Sequence, residues 1–192
     1  HQYCPYSGHI GLLEQINVLI HNSYQRNINI GDELLITAGA TQAIFSAIQA
    51  LVHPGDEVII LDPSYDCYLA PIQLSKGVPI RIPLNKEFLP DWTNIKKHIT
   101  PKTKLIITNN PHNPSGRVWN EGDMKQLGLL LEENPKLHLL SDEVYEYITF
   151  EKKHLSAHLY ESLRSKSIII SSFGKTAFFA PTISSNIPNF GF

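Results

Sequence analysis

Six short apolar runs punctuate the chain: ELLITAG at 33–39, EVIILDP at 57–63, VPIRIPL at 78–84, KLIITNN at 104–110, LHLLSDE at 137–143 and SIIISSF at 167–173. Several are apolar at consecutive rather than alternate positions, which is the pattern of strands covered on both faces. Between them, TQAIFSAIQALV at 41–52 and EGDMKQLGLLLEEN at 121–134 carry apolar residues at helical spacing. This alternation predicts an α/β fold, a mostly parallel sheet with helices on both faces. In such sheets a ligand sits beyond the carboxyl ends of the strands. TAGAT, DPSYDCY, NNPHNPSG, SDEVY and SSFGK follow the first, second, fourth, fifth and sixth runs, so five polar loops converge on one edge.

Three features of those loops bear on chemistry. Asp142 is delivered by an apolar run into a strand-end loop, with Tyr145 three residues later. A carboxylate there can bind a cationic nitrogen, although an Asp after a strand also serves as a helix cap or turn former. Lys175 follows the sixth run, where a crowded pocket can desolvate an amine and make it a nucleophile. Elsewhere a lysine normally marks a solvated face. The segment ITAGATQAIFSAI reads as strand, small-residue turn and helix start, whose backbone N–H groups and dipole suit a phosphate. Thr41 as a helix cap is compatible with that reading, and Ser172 adds a hydroxyl nearby. The segment matches neither GxGxxG nor a Walker loop, which disfavours a nucleotide.

Composition narrows the class. With 192 residues, 42% hydrophobic and 18% charged, the chain can bury one substantial core. A net charge of -2 without a basic block argues against nucleic acid and for a small-molecule ligand. No apolar run reaches the roughly 20 residues of a membrane span, and the first residues lack a signal-peptide pattern, so a cytoplasmic chain with free Cys4 and Cys67 is expected. His154 and His158, four apart, have no third ligand nearby, and no metal is assigned. His112 is read as shaping its loop, and Trp92 and Trp119 as packing.

The motifs NNPHNPSG, SDEVY and SSFGK, in this order and spacing, resemble the fold type I, class I pyridoxal-phosphate-dependent aminotransferases. YCPYSGHIGL, TAGATQAI and DPSYDCY narrow the resemblance toward the methionine, kynurenine and glutamine aminotransferase-like branch. It extends from residue 1 to about residue 176. The resemblance implies pyridoxal 5'-phosphate as cofactor and an amino acid and a 2-oxo acid as substrates. It also implies a homodimer, with no nucleic-acid or membrane partner. Lys175 matches the lysine that binds the cofactor as a Schiff base and then shuttles a proton. Asp142 matches the carboxylate paired with the pyridinium nitrogen. Tyr145 and Asn113 match hydrogen-bond partners of the ring oxygen, and Tyr65 the aromatic stacked on the ring, a place where an aromatic also simply packs. Ala40, Thr41 and Ser172 match phosphate contacts, and Tyr3 a tyrosine reaching the phosphate in the neighbouring subunit.

The pattern departs from the family after Lys175. Ile183 stands where a basic phosphate contact is expected, and 177–192 reads as an atypical tail, loop-like or discontinuous in origin. Residues 1–176 are therefore expected to be part of a large cofactor-binding domain, with the small C-terminal domain and its carboxylate-clamping arginine absent. Two other readings stand beside transamination: a β-lyase on the same scaffold, since one carbanion can partition differently, and a truncated non-catalytic domain.

Overall fold

The computed structural model describes residues 3–176 and 182–185. In chain order the elements are α1 (Ile10–Tyr24), β1 (Leu34–Thr37), α2 (Ala40–Leu51), β2 (Glu57–Asp62), α3 (Leu69–Leu74), β3 (Val78–Pro83) and α4 (Trp92–Lys97). They continue with β4 (Thr103–Asn109), α5 (Glu121–Glu133), β5 (His138–Asp142), α6 (Glu161–Arg164), β6 (Ser167–Ser172), α7 (Phe173–Thr176) and β7 (Thr182–Ser185). All six expected strands and both expected helices are present. The strands form one sheet in the order β1-β7-β6-β5-β4-β2-β3. From β6 to β3 every neighbour is parallel, whereas β7 runs antiparallel to both β1 and β6.

Two-sided burial explains the continuous apolar runs. Successive side chains on a strand face opposite ways. Val58, Ile60, Leu105, Ile107, Leu140, Ile168 and Ile170 therefore pack into one core cluster with α2 and α3. Their alternates Ile59, Leu61, Ile106, Leu139 and Ile169 pack on the other side with α4, α5 and Leu163. The proline-bearing β3 occupies the sheet edge, where a missing N–H costs no ladder bond. Trp92 and Trp119 meet edge to face with ring centres 5.6 Å apart, which confirms them as packing residues.

Two elements lie outside the sequence expectation. The helix α1 buries Leu13, Ile16 and Ile20, one face of a helical repeat, against Leu34 and Ile28. Within the stretch expected to be loop-like, Thr182–Ser185 form β7. Its backbone fills the gap between β1 and β6, pairing Ile183 with Ile36 on one side and Ser171 on the other. The two flanking strands would otherwise present unpaired edges. Residues 177–181 and 186–192, the rest of that stretch, lie outside the described residues.

Leu140 is fully buried in the middle of the sheet. Leu140→Ala should lower unfolding free energy by about 2–5 kcal/mol in a denaturant titration, whereas Leu129→Ala, on the exposed side of α5, should stay within about 0.5 kcal/mol. Equal effects would show that the sheet is not covered as described.

Candidate active site

The carboxyl ends of β1, β4, β5 and β6 lie on one edge of the sheet, and with the turn after β2 they surround a cavity of about 300 Å³. Ala40, Thr41, Tyr65, Asn113, Asp142, Tyr145, Ser172 and Lys175 all line it. Eight of the nine sequence-predicted site residues, drawn from five loops, thus meet in one place. Tyr3, the ninth, is fully exposed and does not line the cavity.

Asp142 ends β5, aligned with Asn109 of β4 and Ile170 of β6, so strand register fixes its depth. It is only 2% exposed. Tyr68 donates to its Oδ2 at 2.5 Å and the Val144 N–H to its Oδ1 at 3.3 Å. Among the described residues no cation forms an ion pair with it. Burial pushes its carboxyl up to about 6, with the Tyr68 and Val144 hydrogen bonds pulling the other way. A buried carboxylate with spare lone pairs and no cation is matched by a ligand bearing a cationic N–H.

Around it, Asn109 and Asn110 both donate to the Asp142 backbone carbonyl at 3.1 Å, which ties the loop after β4 to the end of β5. Asn109 Oδ1 in turn accepts from the Asn113 N–H at 2.7 Å, and the Asn113 amide donates to the Tyr145 hydroxyl at 3.3 Å. The Lys175 ammonium stands over the Tyr145 ring, 5.6 Å from its centre. Lys175, on the short α7, is exposed and lines the cavity.

At the other end, Gly39 caps α2 with φ of 93°, a left-handed geometry that would strain any other L-residue. No described side chain caps this 12-residue helix, and its first residues, Ala40 and Thr41, line the cavity. The expected cap role of Thr41 is therefore not met: Gly39 is the cap and Thr41 lies in the first turn. Carboxylate, amine, aromatic wall and anion site together fit a small planar molecule carrying a ring nitrogen, a carbonyl and a phosphate.

Several supporting residues carried no sequence signal. Glu143, next to Asp142, is equally buried. It accepts from the Ser141 hydroxyl at 2.8 Å, His154 Nε2 at 2.9 Å and the Ala157 N–H at 2.9 Å. Burial raises its carboxyl, but the His154 beside it more than offsets that and holds it below the ordinary range. His158 accepts from Arg26 through Nδ1 at 2.9 Å, and burial pushes its imidazole down to about 4. The two histidines thus anchor the loop after β5. His112 contacts the Pro63 carbonyl through Nε2 at 2.9 Å and Ser115 through Nδ1 at 2.7 Å, which makes it the loop-shaping residue expected. A wider cavity of about 510 Å³ adjoins across Asn113 and Tyr145, but the Lys175 and Asp142 pair does not line it.

Comparison with known proteins agrees with this geometry. The family model described as aminotransferase class I and II matches residues 1–180. Methionine aminotransferase of Escherichia coli is 40% identical over 177 residues, covering 91% of this chain and 46% of that protein. Human kynurenine–oxoglutarate transaminase 3 is 35% identical over 187 residues, covering 91% and 41%. A solved structure of the Escherichia coli methionine aminotransferase superposes with a TM-score of 0.93 at 36% identity, covering 97% of this chain and 50% of that one. N-succinyldiaminopimelate aminotransferase from Mycobacterium tuberculosis gives 0.91 at 28% identity, covering 98% and 50%. The chain spans about half the length of these relatives.

The Asp142 carboxyl sits near 6 when folded against an ordinary value of 3.8. Between those pH values the folded chain keeps a proton that the unfolded chain has released, so this residue makes stability fall as pH rises, by on the order of 3 kcal/mol. Unfolding titrations at stepped pH should show this slope in the difference between wild type and Asp142→Asn. Parallel curves would contradict the burial described.

Proposed function

Because the chain belongs to the class I and II aminotransferase family, we infer that the cavity at its strand ends is the pyridoxal 5'-phosphate site of an enzyme moving an amino group between an L-amino acid and a 2-oxo acid. The observation that carries this reading is the convergence, on one cavity of about 300 Å³, of an amine, a buried carboxylate with no cation partner among the described residues and a helix N-terminus without a side-chain cap. Members of this family depend on that cofactor. The bound cofactor supplies an electron sink for the pair left when an amino acid loses its Cα proton.

This chain's residues divide the work. Asp142 holds a proton on the ring nitrogen through a charge-assisted hydrogen bond, strengthened by its dry surroundings. Lys175 would hold the cofactor through its aldehyde carbon, with loss of water, and its amine would be placed to move the proton at the substrate Cα. Asn113 and Tyr145, already bonded to each other, present their remaining hydrogen-bonding capacity to the ring oxygen. Tyr65 covers one ring face, while Ala40, Thr41 and Ser172 take the phosphate. Tyr3 serves the neighbouring subunit of a homodimer. The exposed Tyr3 and Tyr6 support that assignment, since such aromatics favour an interface. Methionine or an aromatic amino acid is the proposed substrate type, supported by the names of the relatives at 40% and 35% identity. Two free cysteines suit a cytoplasmic setting. The β-lyase alternative is not favoured, because the named relatives are transaminases.

Incubation with pyridoxal 5'-phosphate, borohydride reduction and peptide mass analysis should place the cofactor mass on Lys175, and Lys175→Ala should abolish it. Stable labelling of another lysine, or none, would overturn the assignment.

A further inference from the structure

The turn after β2 contains a second tyrosine that the site's chemistry has not yet used. Tyr68 closes the short 3-10 turn Asp66–Tyr68, is 2% exposed, and has its ring inside the core cluster beneath α2. Its hydroxyl is 2.5 Å from Asp142 Oδ2, a contact between residues 74 apart in sequence. Its ring meets Tyr65 edge to face, with centres 6.1 Å apart at 80°.

We propose that Tyr68 is a positioning residue of the cofactor site: its hydrogen bond fixes the direction from which the Asp142 carboxylate meets the cofactor's ring nitrogen, and its ring braces the Tyr65 wall. This role rests on the reading of the cavity as a pyridoxal 5'-phosphate site. A carboxylate can turn about its Cβ–Cγ bond, and Val144 alone, at 3.3 Å, holds it weakly. A phenol locked in a packed core is a rigid donor, and it occupies one lone-pair direction on Oδ2 while leaving others for the ligand. Burial, together with the negative Asp142, keeps Tyr68 protonated well above the ordinary phenol range, so it remains a donor. The same phenol therefore sets both the direction and the basicity of the carboxylate, while its ring edge sets the plane of Tyr65.

The titratable groups around Asp142 are Cys67 and Tyr68 in the turn after β2, Glu143 beside it, and Tyr145 and Lys175 around the cavity. Among the described residues, Tyr68 makes the one side-chain hydrogen bond to the Asp142 carboxylate. The test follows the Asp142 carboxyl carbon by 13C NMR against pH in the cofactor-free chain. Tyr68→Phe removes the donor and keeps the ring, so the Asp142 midpoint should rise by about one to two pH units. Replacing Tyr68 by 3-fluorotyrosine keeps ring and hydroxyl with a more acidic donor, and should move the midpoint the other way. This second variant serves if the phenylalanine chain does not fold. An unmoved midpoint in a folded variant overturns the positioning role while leaving labelling of Lys175 untouched. Failure of the labelling with a shifted midpoint instead overturns the cofactor reading, and the role with it.

Discussion

A carboxylate buried at the end of the central strand β5, held by one phenol and one backbone N–H and paired with no described cation, is the constraint around which the site is organised. Such a group is expensive to bury, which is why its carboxyl is pushed up to about 6. The cost persists because the sheet gives the carboxylate no other place. Register with Asn109 and Ile170 fixes its position, and the neighbouring asparagines grip its backbone carbonyl. A cationic ring nitrogen would supply the missing charge, and the cost of burial would then favour the bound state.

The rest of the domain keeps that arrangement rigid. Both faces of the sheet are covered, so strand ends cannot drift independently. On one face the turn after β2 reaches Asp142 through Tyr68. On the other, Glu143, His154 and Ala157 tie down the chain that leaves β5. Successive residues at one strand end thus face opposite ways: Asp142 lines the cavity and Glu143 anchors the support.

Much of this was legible in the sequence. Parallel strands buried on both sides read as continuous apolar runs, so all six appeared at nearly their observed bounds. The polar loops after those runs, together with the family resemblance of their motifs, named eight cavity-lining residues. What escaped has physical reasons. β7 is short and polar, and its stability comes from two partners elsewhere in the chain. The repeat of Leu13, Ile16 and Ile20 in α1 was readable but unassigned. Tyr68 carried no sequence signal, because its partner is remote in sequence and only the fold brings the two together.

The central claim is that Asp142 keeps a pyridine ring nitrogen protonated in this cavity. The direct measurement is 15N NMR of ring-labelled pyridoxal 5'-phosphate bound to the chain, compared between wild type and Asp142→Asn. A pyridinium-like shift in wild type that reverts toward neutral pyridine in the variant is the predicted result. A neutral ring in wild type, or a shift that ignores the substitution, would contradict the account.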